Sequence, residues 1–233
     1  KFDDKQALIR LDKKMEKGED LTKEELAFLY ELDRPIATLD TYNRKDPRIP
    51  ELRKKYGIEY AVEKGVDANK LVSSLEPEEI AKNLDTLLEH GANIDINELV
   101  SNVNTDIIFN NIESLLKNGA DANNIVNNMD LSDTYGYLYT LLDYGADVNN
   151  IVKKFSLRPS YIASGLDVLL EHGATIDVNK LVSDLEPFDT LMHLSTLLEC
   201  GADVNLLIKK MSKKDIAYNR GILRKYGANL DNY

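Results

Sequence analysis

His90 and His172 fill the same place in two copies of one phrase, LLEHGA, and in a third copy His193 and Cys200 stand seven residues apart. These are the only histidines and the only cysteine of the chain, so imidazole or thiolate chemistry must run through them. A zinc site takes about four such ligands, and the pair His193 and Cys200 supplies two. His90 and His172 precede a glycine that ends a helix, where the negative helix terminus favours a cation or a donor, so a helix-end role stands beside ligation or catalysis. Acidic residues recur two places before the same glycines, as Glu89, Asp143, Glu171 and Glu199. Paired carboxylates could hold calcium or do acid and base work, but recurrence with the phrase is what a solvated helix face produces. There is no Walker loop, HExxH, paired-cysteine or GxSxG motif. The expectation is a non-enzymatic chain with no cofactor and no metal.

The elements that carry these residues follow from the phrase itself. LLEHGANID, LLKNGADAN, LLDYGADVN, LLEHGATID and LLECGADVN succeed one another, and their glycines with two flanking ones lie at 65, 91, 119, 145, 173, 201 and 227. The intervals of 26 or 28 residues signal an array of repeats. A second landmark is Val72, Val100, Val126, Val152, Val182 and Ile208. From it to the next glycine is 19 residues except once, when SLRPSY adds two; from glycine to it is 7, or 9 where ID is inserted. Length thus varies only at two joints, as expected of two rigid helices with tolerant connections.

In the first helix, Asn69, Asn97, Asn123, Asn149, Asn179 and Asn205 are expected to cap the N-terminus, and apolar residues such as Leu71, Val72 and Leu75 share one face. The second helix begins near Glu76, Asn104, Glu186 or Ser212. Counted back from glycine, positions −11, −7, −4 and −3 are mostly apolar, as in Ile108, Ile112, Leu115 and Leu116, forming a narrow stripe that needs a neighbour to bury it. The glycine itself takes the left-handed position that stops the helix. The expected fold is all-α, an α-solenoid of short helix-pair repeats with an N-terminal helical region.

LLEHGANID and LLDYGADVN resemble the helix end and turn of ankyrin repeats. The T-P-L-H-x-A start of the ankyrin first helix does not occur, and a period of 26 to 28 rather than 33 omits about the residues of a β-hairpin finger. The resemblance implies a hairpin-less ankyrin-like array and a role in protein–protein interaction.

Two variable rows ride on this frame. Positions −8 and −1 lie at one edge of the second helix and read Asn83 and His90, Asn111 and Asn118, Tyr137 and Tyr144, Gly165 and His172, His193 and Cys200, Asn219 and Tyr226. This uncharged edge offers contact area and hydrogen bonds without desolvating ions, so Asn83, His90, Asn111, Asn118, Tyr137, Tyr144, His172 and His193 are the candidate partner-binding residues. The other reading has the edge half-buried against the preceding first helix. The second row follows the landmark on the first helix: Ser73 and Ser74, Ser101 and Asn102, Asn127 and Asn128, Lys153 and Lys154, Ser183 and Asp184, Lys209 and Lys210. Helical repeats that read RNA base by base use short polar side chains in this way, which makes single-stranded nucleic acid the alternative partner. Charge speaks against it. Residues 61–208 carry 24 acidic and 8 basic side chains within a net charge of −11, and phosphate binding normally supplies much of the affinity. A protein or peptide of basic character suits this surface better.

Residues 1–48 are expected to form an N-terminal cap or small module, with a helix pair over 4–18 and 22–36 and a linker over 37–48. Residues 49–233 form the array, opening on a degenerate repeat over 49–65. At its far end Arg220 and Arg224 replace the apolar residues of positions −7 and −3, which gives the last repeat the polar outer face of a cap. No apolar run reaches the ~20 residues of a membrane helix. A lone cysteine suits the cytoplasm or another reducing compartment. Residue 1 is Lys rather than Met, so a piece of a longer protein is one reading.

Overall fold

A computed structural model describes residues 2–37 and 45–231; most of the linker expected over 37–48 lies outside the described residues. Among the described residues there are helices and no strand. Most helices are six to eight residues long. Such lengths are marginal in isolation, so packing rather than propensity holds them. No helix among the described residues is long and apolar enough to cross a membrane. The chain divides into two compact units, one ending at Ala120 and the other starting at Asp121.

In the first unit a long helix, Phe2–Lys17, is followed by Lys23–Leu29. Thr22 opens the second with a reciprocal cap: its Oγ1 accepts from Glu25 N–H (3.2 Å), and Glu25 Oε2 accepts from Thr22 N–H (2.8 Å). This helix stops at Leu29, sooner than the sequence pattern suggests, and Glu31 then takes a left-handed φ of 58°. Tyr30 donates to the Tyr56 carbonyl (2.9 Å), Tyr56 donates to the Glu19 carbonyl (2.7 Å), and Leu21 N–H donates to Tyr60 Oη (3.1 Å). Residues 19–31 are thereby tied to helices Arg48–Lys55 and Ile58–Glu63. Burial pushes the Tyr30 phenol up to about 12, so it stays a donor. Asp4 is buried and grips both ends of the Arg34 guanidinium (2.5 and 2.9 Å) and Ala37 N–H (2.9 Å), bonds that hold its carboxyl well below the usual carboxylate range.

The corner of the repeated phrase has one geometry throughout. All seven glycines have φ between 83° and 98°. At Gly91 the helix end is closed by Gly91 N–H to Leu88 O and Ala92 N–H to Leu87 O, both 2.9 Å, the paired bonds of a Schellman end. The same pair closes the helices before Gly119, Gly145, Gly173, Gly201 and Gly227. Behind the corner, the cap is not the expected asparagine. Asp67, Asp95, Asp121, Asp147, Asp177 and Asp203 are the N-caps, with extended backbone and side chains accepting from N–H groups two or three residues on. The asparagine sits two positions further in, and in four copies its amide oxygen reaches the next corner. Asn69 Oδ1 accepts from Asn93 N–H (2.8 Å), Asn123 from Asp147 N–H (2.7 Å), Asn149 from Thr175 N–H (3.2 Å) and Asn179 from Asp203 N–H (2.7 Å). Each acceptor thus binds the residue two past the next glycine, so asparagine recurs as a staple between successive corners. Asn179→Ala should lose about 1 kcal/mol, the usual net worth of a neutral hydrogen bond, as a lower urea midpoint; an unchanged midpoint would assign that N–H to water instead.

The second helix is not continuous. At position −8 the backbone leaves helical geometry, with φ, ψ of −119°, 21° at Asn83, −127°, 15° at Asn111, −110°, 20° at Tyr137 and −107°, 16° at His193. Asparagine suits the break because its amide replaces a backbone donor: Asn83 Nδ2 donates to Glu79 O and Asn111 Nδ2 to Ile107 O, both at 2.8 Å. Gly165 occupies this position in another copy, where an added Cβ would lie 2.7 Å from Leu138 Cδ2. The apolar stripe survives the break. Position −4 is fully buried in every copy, at Leu87, Leu115, Leu141, Leu169, Leu197 and Leu223. Thr134 and Thr190 are also buried, at position −11, each hydroxyl donating to the carbonyl four residues back. Arg220 and Arg224 are exposed where their counterparts Leu194 and Leu198 are buried.

Candidate interaction surface

The eight residues of the uncharged edge are placed by two local events, the break at −8 and the helix end at −1. Asn83 and Asn111 are half-buried, and their amide hydrogens are spent on the backbone of their own segment. Asn118 reaches the preceding copy: its Nδ2 donates to Asp85 Oδ1 (2.6 Å), which also accepts from the Ser114 hydroxyl (2.9 Å). Those two bonds lower the Asp85 pKa, the Asn118 bond first. His193 Nε2 lies 3.1 Å from Ser164 Oγ, again in the preceding copy.

His90 and His172 repeat one arrangement. Their Nδ1 atoms lie 2.9 Å from the carbonyls of Thr86 and Val168, four residues back. A carbonyl accepts only, so Nδ1 carries the proton and both rings serve as caps of the last helical turn. His172 Nε2 is then 3.8 Å from Asp143 Oδ1, which puts this ring beside the end of the helix that carries Tyr144. Tyr137 is half-buried at its break, whereas Tyr144 is 49% exposed. Most of the edge therefore works within and between segments, and Tyr144, His90 and His172 are its exposed members.

Exposed aromatic and apolar area also appears where the sequence reading did not place it. Tyr139, on the same short helix as Tyr144, is 62% exposed; Phe188, Met192 and Tyr218 are 71%, 64% and 91% exposed. They occupy positions −13, −9 and −6, on the side of the helix opposite the core stripe, where other copies carry Glu78, Lys82, Asp106 or Asn110. The departure from that polar pattern was the available signal.

The first-helix pairs are mostly exposed, but several bond to backbone carbonyls. Ser73, Ser101 and Ser183 donate to the carbonyls of Asn69, Asn97 and Asn179 in their own helices, and Asn102 and Asn128 do the same to Glu98 and Asn124. The Lys154 ammonium binds the carbonyls of Val126 and Met129, and Lys210 binds those of Ser183 (2.7 Å) and Leu185 (2.5 Å). Each lysine thus caps the C-terminal end of the preceding first helix, a satisfied position for a cation. Burial lowers the Lys154 pKa.

Cys200 is half-buried, and burial pushes its thiol up, away from the thiolate form that reacts or binds metal. Among the described residues no three His, Cys, Asp or Glu side chains converge as a metal-ligand group. The chain has no match among family models, curated proteins or solved structures.

Proposed function

We propose that this chain is a non-enzymatic scaffold of stacked helix-pair repeats, an ankyrin-like array without hairpins, that binds a protein or peptide of basic character. The observation that carries the reading is the pair Tyr139 and Tyr144, 62% and 49% exposed on one short helix of an acidic array. Aromatic rings in that setting supply large contact area with few rotatable bonds, and the surrounding carboxylates steer a basic partner. The recurring glycine corners and the asparagine staples of four copies support the stacked frame, because they repeat one geometry while the exposed positions vary. The RNA-reading alternative is disfavoured by the first-helix pairs, whose polar groups are largely engaged with backbone carbonyls. A salt titration with mixed single-stranded RNA and DNA separates the two. The expected result is no binding of either at moderate ionic strength; tight binding that weakens steeply with salt would replace this function with nucleic-acid reading.

A further inference from the structure

One cleft in this acidic chain is basic. It encloses about 670 Å³ in the first unit, between helix Arg48–Lys55 and the helix Pro77–Lys82 with its break at Asn83. Four cations line it, Lys45, Arg53, Lys54 and Lys82, and Glu79 is the one carboxylate among its lining residues. Two of the cations are already committed. Glu31, behind the cleft, takes the Lys45 ammonium (2.5 Å) and one nitrogen of Arg53 (3.1 Å), and the Arg53 guanidinium also donates to the Leu29 carbonyl (2.9 and 3.1 Å). Lys54 and Lys82 remain exposed, with no acidic side chain in ion-pair range among the described residues. Pro50 adds an exposed apolar ring to the same wall, and Ile49 beside it is buried.

This combination selects a ligand class. The volume fits a small molecule or a few residues of peptide. Phosphate recognition favours a free guanidinium fork or converging backbone N–H groups, and here the single arginine is spent and the helices present their sides. Two separated lysine point charges with an exposed proline suit carboxylates spaced along a chain that also carries an apolar side chain. We propose that the cleft binds an acidic peptide segment of a partner protein, with carboxylates at Lys54 and Lys82 and an apolar side chain on Pro50. This site stands apart from the tyrosine pair, and either can fail without the other.

The test is fluorescence anisotropy with a labelled glutamate-rich peptide bearing two spaced leucines, titrated with the full chain. At about 0.1 M salt the Debye length is about 10 Å, so the distant carboxylates of the array are screened while charges in the cleft are not. Saturable binding is expected, with none for the counterpart peptide in which glutamine replaces glutamate. Reversing both free cations, Lys54→Glu with Lys82→Glu, should weaken binding about tenfold or more, since two attractive contacts become repulsive. The pair Lys117→Glu with Lys213→Glu makes the same change in net charge on exposed sites outside the lining and should leave binding as it was. Equal weakening by both pairs would overturn the site, as would unaltered binding in the first pair with its helical circular dichroism intact. Displacement of the peptide by inorganic phosphate at constant ionic strength would make it a phosphate site instead. Sedimentation showing dimers of the parent that Lys54→Glu with Lys82→Glu abolishes would make the occupant a second copy, and would also overturn the proposal.

Discussion

Leu115→Ala is expected to destabilise the fold by about 2–5 kcal/mol, read as a lower urea midpoint with the helical signal otherwise preserved. Leu115 is fully buried at position −4, and its carbonyl also closes the corner at Ala120 (2.9 Å). Truncation removes three heavy atoms from a close-packed neighbourhood and leaves a cavity that short, cross-tied helices can fill only partly. Leu88→Ala is the comparison, because Leu88 lies on the same apolar stripe at position −3 but is only half-buried. It should cost distinctly less. A loss below about 0.5 kcal/mol for Leu115→Ala, the size of an ordinary surface change, would place that residue outside the core.

That prediction was legible in the sequence because burial follows periodicity, and the stripe −11, −7, −4, −3 keeps its period whether or not the helix is continuous. The break at −8 was not legible for the same reason. One residue in the bridge region displaces little, and what marks it is an asparagine amide bonding back four residues, which a hydrophobic pattern does not register. The corner glycines were legible, since a left-handed residue at a helix end is a strong constraint on type. The caps were misjudged between two neighbouring polar residues. Asp67 and Asn69 can both accept backbone N–H groups, and only the position of the next corner assigns one to the cap and the other to the staple.

For the surface, the sequence located the edge but not its division of labour. Asn118 and His193 contact Asp85 and Ser164 on the second-helix segments of the copy before them rather than a first helix, and His90 and His172 cap their own helices. Tyr144 is left with substantial exposed area, and Tyr139 joins it from a face that repeat-averaged reasoning treats as solvated. The basic cleft was invisible for a different reason: Lys54 and Lys82 come from separate parts of the chain, and no spacing rule brings them together.

Tyr144→Ala should leave the fold within about 0.5 kcal/mol of the parent, since half of the side chain is already in water. Its effect on binding should be much larger. A hot-spot tyrosine is worth about 2 kcal/mol or more, close to thirtyfold in affinity, and such losses appear almost entirely in dissociation. Association is set by the long-range field of the acidic surface, which the substitution does not touch. Raised salt should therefore slow association of the parent and the variant alike, and leave the ratio of their dissociation rates unchanged.

The most direct measurement is the pair of rate constants for a partner isolated by pull-down, taken with the parent, Tyr144→Ala and Asn128→Ala at low and high salt. The expected result is dissociation roughly thirtyfold faster for Tyr144→Ala, parent-like rates for Asn128→Ala, and a salt effect confined to association. An unchanged dissociation rate for Tyr144→Ala contradicts a binding surface at this edge, and a changed base preference in Asn128→Ala would assign the array to nucleic acid instead.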